Sequence, residues 1–365
     1  MKEILERFNA FEPYSPEAGE YKIRLDANES FISPDKNYMK KIQARIKAAE
    51  LNRYPDPSAR TLISCFSKYY FLKSDCVTAF NGSDEAIALI ISALTTEDDE
   101  MLVLSNDFSM YIQYAKTYNR QCTVYEKDGN MDFELDEIAG YINENGVKLF
   151  IFSNPCNPTS KSVTKNELKR FISKVDALVV IDEAYMDFDN ESLLSEIQDF
   201  ENLIILKTAS KALGLAAVRL GFAVASQEIT NILRAVKSPY NVNLLTQIVG
   251  EEMYKDKLLI KKNITKILSA KKEMIGALIS IKSDSFKLFA SNANFFFIEF
   301  SEEDCETVFS GLKEKGILVR KLDNFLRVTV GDKKENAVFI KAFANLVSDI
   351  QKTAINNEIS VERTE

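Results

Sequence analysis

From about residue 75 onward, short apolar runs alternate with amphipathic stretches. The runs Val77–Phe80, Met101–Leu104, Thr123–Tyr125, Leu149–Phe152, Leu178–Ile181, Leu203–Leu206 and Gly221–Ala225 have the length of strands. Several are apolar at successive positions, as parallel strands covered on both faces are. Between them, Asp84–Leu94, Ser109–Tyr118, Lys165–Ser173 and Ile229–Val236 carry helical spacing. This alternation predicts a doubly wound α/β domain, its mostly parallel sheet flanked by helices. After about residue 240 the pattern changes. A Lys-rich helical stretch runs from Leu244 towards Lys282, strand-like Asn294–Phe300 and Leu326–Val330 flank a helix at Glu303–Lys315, and a further helix follows at Lys334–Lys352. The chain therefore divides into an irregular arm over residues 1–24, a large α/β domain over 25–240 and a smaller α+β C-terminal domain over 241–365. The polar end Asn356–Glu365 reads as frayed.

Composition narrows the function. The chain has 365 residues, 46% of them hydrophobic and 27% charged, the balance of a globular protein with a sizeable core. Its 54 acidic against 46 basic residues give a net charge of −8, which argues against a nucleic-acid surface. No apolar run reaches the roughly eighteen residues of a membrane span, and the acids in Met1–Arg7 do not suit a secretory leader, so a cytoplasmic location is expected. Histidine is absent, which removes Ser-His-Asp triads and His-ligated metals. No metal site is expected. The five scattered cysteines, without a C-x-x-C, read as reduced thiols. Proton transfer in an enzyme of this composition falls to Lys, Tyr, Asp, Glu or a cofactor.

Ligands of open α/β sheets sit at the carboxyl ends of strands. After Val77–Phe80, the turn Asn81-Gly82-Ser83-Asp84-Glu85 opens a very apolar helix, either as a phosphate cup or as a helix simply capped by Ser83 or Asp84. After Leu149–Phe152, two X-Pro pairs hold Asn154 and Asn157 on a rigid loop, or make a plain turn. Asp182 ends a strand that should be buried, where a carboxylate needs a partner, either a helix cap or a buried cation. Thr208, Ser210, Lys211 and Arg219 bracket a small apolar segment in which a lysine can serve as a nucleophilic amine. Together the four constellations match the needs of pyridoxal 5′-phosphate: a lysine, an acid for the ring nitrogen, donors for the ring oxygen and a phosphate cup.

In this order, the motifs Leu25-Asp26-Ala27-Asn28-Glu29, Arg53-Tyr54-Pro55, Gly82 to Glu85, Asn154 to Thr159, Asp182-Glu183-Ala184-Tyr185, Ser210-Lys211, Arg219-Leu220-Gly221 and Asn324 to Gly331 resemble the fold-type-I pyridoxal-phosphate aminotransferases of classes I and II over nearly the whole chain. Within them the resemblance is strongest to the branch acting on L-histidinol phosphate. It implies that Lys211 carries the cofactor and shuttles a proton, that Asp182 keeps the ring nitrogen protonated, and that Asn157 and Tyr185 bond the ring oxygen. Gly82, Ser83, Asp84, Thr208, Ser210 and Arg219 would form the phosphate cup, and Phe108 would stack on the ring or simply pack in the core. Tyr54 would reach the neighbouring subunit's cofactor in a homodimer. Arg327 and Arg320 would clamp the substrate's anionic end, with Tyr14, Asn28, Tyr240 and Asn294 lining the pocket.

The implied reaction is transamination between L-histidinol phosphate and 2-oxoglutarate, giving imidazole-acetol phosphate and L-glutamate in histidine biosynthesis. The alternative is another aminotransferase, or a decarboxylase, acting on a phosphorylated or aromatic amino compound. No nucleic acid or membrane partner is implied. The chain departs from the pattern at Ser30-Phe31, at Asn106-Asp107 before Phe108, at Cys156 and Ser160 in place of a frequent Asn and Gly, and at Ala209 in place of an aromatic residue. Asp107 is the departure that puts a carboxylate near the phosphate cup.

Overall fold

The computed structural model describes residue 11 and residues 17–362. A short strand β1 (Ile23–Leu25) is followed by helices α1 (Lys36–Lys47) and α2 (Arg60–Tyr70). The strand-helix alternation then runs through β2 (Val77–Phe80), α3 (Ser83–Leu94), β3 (Glu100–Leu104), α4 (Met110–Thr117), β4 (Gln121–Tyr125), α5 (Leu135–Asn145), β5 (Leu149–Ser153), α6 (Lys165–Ile172), β6 (Leu178–Asp182), β7 (Leu203–Thr208), β8 (Gly221–Ala225) and α7 (Gln227–Val236). Strands β2 to β8 form one seven-stranded sheet in the order β2-β8-β7-β6-β5-β3-β4. Only β8 runs antiparallel to its neighbours. The unbroken apolar runs have a simple cause. Leu102, Phe150, Phe152, Val179, Ile181, Leu203 and Ile205 point into one core, while Met101, Val103, Leu149, Ile151, Val180, Ile204 and Leu206 point into another on the opposite face. Each buried side chain of this size contributes roughly 1.5–3 kcal/mol.

Beyond α7 come α8 (Leu244–Lys255), α9 (Lys257–Ile279), β9 (Lys287–Leu288), β10 (Phe295–Glu299), α10 (Glu302–Glu314), β11 (Ile317–Leu322), β12 (Phe325–Thr329) and α11 (Lys333–Glu362). The second sheet has the order β1-β11-β12-β10-β9. The stretch from Leu244 towards Lys282 is two helices, because Asp256 ends α8 and its carboxylate caps α9 through the Leu259 N–H at 3.0 Å. Helix α11 continues through Glu362, into the end expected to fray.

Two features cut across the division drawn from the sequence. Residues 23–25 were assigned to the arm and its junction, yet Ile23–Leu25 pairs in parallel with Ile317–Val319 of the small sheet. Three residues are too short for a periodicity to register. Helix α9 serves both parts: Ile260 and Ile267 pack in the large core, Met274 and Leu278 in the small one. The segment after β1 and the start of β10 likewise lie where the two cores meet.

Candidate active site

The strand register brings the chemistry together. Ser153, Asp182 and Leu206 lie level at the carboxyl ends of β5, β6 and β7. Asp182 is 4% exposed and its carboxylate accepts hydrogen bonds from the Tyr111 hydroxyl (3.1 Å) and the Ala184 N–H (3.0 Å). Burial pushes its carboxyl from the usual 3.8 up to about 7, against the pull of those two donors, with Asp107 and Asp84 adding to the rise. The turn after β6 is pinned from beneath by Lys207, fully buried on β7, whose Nζ lies 3.7 Å from Glu183 and 3.3 Å from Asp187.

One register step away, Phe80, Gly221 and Thr208 align across β2, β8 and β7. Helix α3 starts here at Ser83. Its N-cap is Gly82 at φ 84°, with no side chain capping it, so the simply capped helix does not form and no N-cap side chain takes up its first-turn N–H groups. Gly82 is required by its left-handed φ, and a Cβ there would also press on Arg219 Nη2 at 2.7 Å and push the guanidinium aside. Arg219 spans the turn, donating to Asp84 at 2.8 Å and to the Ala216 carbonyl at 3.2 Å. Thr208 Oγ1 and Ser210 Oγ lie 3.0 Å apart beside it.

Lys211 projects over this sheet end, its Nζ donating to the Ala27 carbonyl (3.0 Å) and standing 5.8 Å from the Tyr185 ring. Asn28, at φ 54°, links the two sheets: its Nδ2 donates to the Tyr185 hydroxyl (2.9 Å), while its backbone meets Thr329 (3.0 Å) and Asn294 (3.2 Å). Arg327 of β12 donates to Asn157 Oδ1 (2.5 Å) and the Asp26 carbonyl (2.6 Å), with Phe295 beneath its guanidinium. Arg320 is its direct cross-strand partner on β11, so both side chains leave the same face. Phe108 lies partly buried at the mouth, edge-on to Tyr111 at 5.6 Å.

Tyr54 and Tyr240 take a different place. Their rings stack 4.5 Å apart at the surface, 81% and 40% exposed. The two residues were expected in different sites, Tyr54 in the neighbour's and Tyr240 in this chain's own pocket, and the stacking makes them one unit. Tyr14 lies outside the described residues. Among the described residues no cluster of Cys, Asp and Glu could hold a metal ion, and no helix is long and apolar enough to cross a membrane.

The chain matches the aminotransferase class I and II family over residues 20–343. The chain belongs to that family. It is 38% identical over 329 residues to the histidinol-phosphate aminotransferase of Clostridium novyi (strain NT), covering 89% of this chain and 92% of the relative. Among solved structures, the histidinol-phosphate aminotransferase of Sinorhizobium meliloti in complex with pyridoxal-5′-phosphate superposes with a TM-score of 0.84 at 18% identity, covering 94% of this chain and 97% of that one. The Clostridium acetobutylicum histidinol-phosphate aminotransferase gives 0.81 at 24% identity, covering 90% and 99%.

As a class I and II aminotransferase the protein is a pyridoxal-phosphate enzyme, and its residues fit that group. The uncapped α3 N-terminus beside Arg219 suits a phosphate, and Asp182 is a buried carboxylate that lacks a cationic partner among its hydrogen-bond donors. Gly221 holds the cup's shape: a Cβ there would fall 2.3 Å from the Ser83 backbone nitrogen. Gly221→Ala is expected to cost about 1–3 kcal/mol of stability and to weaken cofactor binding about tenfold, read by thermal melts and fluorescence titration with and without cofactor. Several site residues are absent from the sequence reading. Tyr111 carries the signal of a buried i, i+4 pair with Ala115 facing the sheet. Asp26, Ala27 and Thr329 stand in the motifs quoted above, but nothing there marks the two carbonyls and the threonine hydroxyl as acceptors. The Ser160 departure is explained by its hydroxyl, which accepts from the Asn292 and Ala293 N–H groups (3.0 and 2.9 Å) while the residue sits at φ 62°.

Proposed function

We propose that the enzyme transfers the amino group of L-histidinol phosphate to 2-oxoglutarate, giving imidazole-acetol phosphate and L-glutamate, in the cytoplasm, as a step of histidine biosynthesis. The observation that carries this reading is the hydrogen bond from Arg327 to Asn157. It sets an arginine, with Arg320 opposite, beside the residue proposed to meet the cofactor's ring edge. A phosphomonoester dianion matches two guanidinium groups on one strand face. The names of the similar proteins point to the same donor.

The bound cofactor supplies an electron sink for charge developing at the donor's Cα. Everything else falls to this chain. Gly82, Ser83 and Asp84 at the α3 N-terminus, with Thr208, Ser210 and Arg219, hold the cofactor phosphate. Asp182 holds a proton on the ring nitrogen. Asn157 and Tyr185 donate to the ring oxygen, and Phe108 covers one ring face. Lys211 Nζ would take the proton from the donor's Cα and hold it for return, its reach set by its contacts at Ala27 and Tyr185. Asn28 and Asn294 complete the wall between the sheets. Arg320 and Arg327 orient the donor's phosphate and, in the second half-reaction, a carboxylate of 2-oxoglutarate.

The active form is a homodimer on this reading. An aromatic pair standing in solvent, Tyr54 on Tyr240, supports a covered face there. Because the two rings stack, both would serve the partner's site, Tyr54 at the cofactor phosphate and Tyr240 at the pocket wall.

The test is the visible spectrum of the loaded protein. L-Histidinol phosphate alone should bleach it to the amine form and 2-oxoglutarate should restore it, whereas no response to the donor would overturn the substrate. Arg327→Ala should raise the KM for L-histidinol phosphate by about 10- to 100-fold, since a charged hydrogen bond is worth about 1.5–3 kcal/mol, with the cofactor retained. Loss of cofactor with an unchanged KM would remove Arg327 from the donor site.

A further inference from the structure

The Asp107 carboxylate has no part in the roles above, yet it is the most heavily used acceptor at the mouth of the site. It lies in the loop after β3, where Asn106 takes a left-handed φ of 47°. Its Oδ1 accepts from the Phe108 N–H at 2.7 Å and, closely, from the Ser153 hydroxyl, and its Oδ2 accepts from the Ser153 N–H at 3.0 Å. Ser153 Oγ in turn accepts from the Asn157 N–H at 2.9 Å. The chain of donors and acceptors thus runs from Asp107 through Ser153 to Asn157, and onward from Asn157 Oδ1 to Arg327.

The direction of each bond matters. The carboxylate takes the only hydrogen of the Ser153 hydroxyl, which leaves its lone pairs to Asn157 N–H. Arg327 occupies the Asn157 side-chain oxygen, so the amide presents its NH2 as the remaining donor. With Oδ1 also holding the Phe108 N–H, one carboxylate fixes both the residue over the ring face and the residue at the ring edge.

We infer that Asp107 is a positioning residue which, through Ser153, sets the Asn157 amide to donate to the cofactor's ring oxygen and couples that amide to the donor-binding Arg327. The inference rests on the placement of Asn157 proposed above. Asp107 is surrounded by Lys127 from the β4 end, Tyr111 from α4, Asp182 from β6 and Cys156 from the β5 loop. Burial raises its carboxyl above the usual range, while Lys127 and the Ser153 donors draw it back. Lys127 itself donates to the Asn106 carbonyl at 3.1 Å and to Cys156 Sγ at 3.3 Å, and so braces both loops.

A donor at the ring oxygen favours its ionised form, so losing that donor raises the pH at which the bound cofactor's visible band titrates. The experiment measures that midpoint, and cofactor affinity, for the loaded wild type, Asn157→Ala, Asp107→Ala, Ser153→Ala and Asp107→Asn, beside thermal melts of each. Asp107→Ala and Ser153→Ala should each raise the midpoint in the same direction as Asn157→Ala and weaken the cofactor about tenfold. Asp107→Asn keeps one acceptor oxygen for the Ser153 hydroxyl but sets its NH2 against the Ser153 N–H, and should give a midpoint between those of the wild type and Asp107→Ala. If Asn157→Ala leaves the midpoint in place, the placement of Asn157 fails. If Asn157→Ala moves it and Asp107→Ala and Ser153→Ala change only the melting temperature, the positioning role is overturned.

Discussion

Lys211→Ala should abolish transamination and leave a folded protein. The side chain is not part of either core, and its contacts are one backbone carbonyl and the face of the Tyr185 ring. Its removal therefore costs little stability. The chemistry has no substitute for it. Among the described residues, Lys207 is the other lysine on this strand end, but it is sealed beneath the sheet by Glu183 and Asp187. Loss of both the amine proposed to carry the cofactor and the base proposed to move the Cα proton should lower kcat by at least about 10³-fold. Borohydride reduction followed by peptide mapping provides the structural readout. In the wild type the cofactor should be fixed to the peptide containing Lys211, and in the variant to none. Label on the Lys207 peptide would show that the lysine was misassigned.

How much of this was legible beforehand differs from residue to residue. Most strands of the large sheet were visible because each face of the sheet buries its own set of side chains, which makes apolar runs with little polar interruption; β4 at the edge, with Gln121 and Thr123, is only partly buried. Lys211, Asp182, Asn157 and Arg219 were visible because polar groups following such runs need a reason. What stayed hidden is whatever depends on tertiary pairing. Strand β1 owes its existence to Ile317–Val319, nearly three hundred residues away along the chain. The bond between Arg327 and Asn157 joins strand β12 to the loop after β5, whose sequences contain no trace of each other. The sequence marked Asp107 only as an oddity, and three hydrogen bonds in space give the oddity a use. Nothing in the sequence relates Tyr54 to Tyr240, and only the structure shows that their rings stack.

Asp182→Asn is the second change with a large expected effect, and it should act in opposite directions on catalysis and on the stability of the cofactor-free protein. Asn is nearly the same shape, can still accept from the Ala184 N–H while its NH2 donates to the Tyr111 hydroxyl, and cannot hold the ring nitrogen's proton by charge. Removing a preorganised charge aimed at the reacting system typically costs about 10²- to 10³-fold in kcat. Stability without cofactor follows from the carboxyl's shift to about 7, caused first by burial. Between the ordinary carboxylate value and that pH, the folded protein binds a proton that the unfolded chain has released, so stability falls as pH rises through this window and levels off above it. A shift of about three units corresponds to roughly 4 kcal/mol at the limit. The Asn variant lacks this penalty. Its cofactor-free form should therefore melt higher than the wild type at pH 8 and show a flatter dependence between pH 4 and 7, with Asp107 and Glu183, also raised by burial, supplying the remaining slope. Loading with pyridoxal phosphate should reverse the order at pH 8, since the wild-type carboxylate then gains a cation and the amide does not. If the cofactor-free variant instead melts lower at pH 8, Asp182 is already satisfied as an anion before any cofactor binds. The case for it as the ring-nitrogen partner would then lose its physical basis.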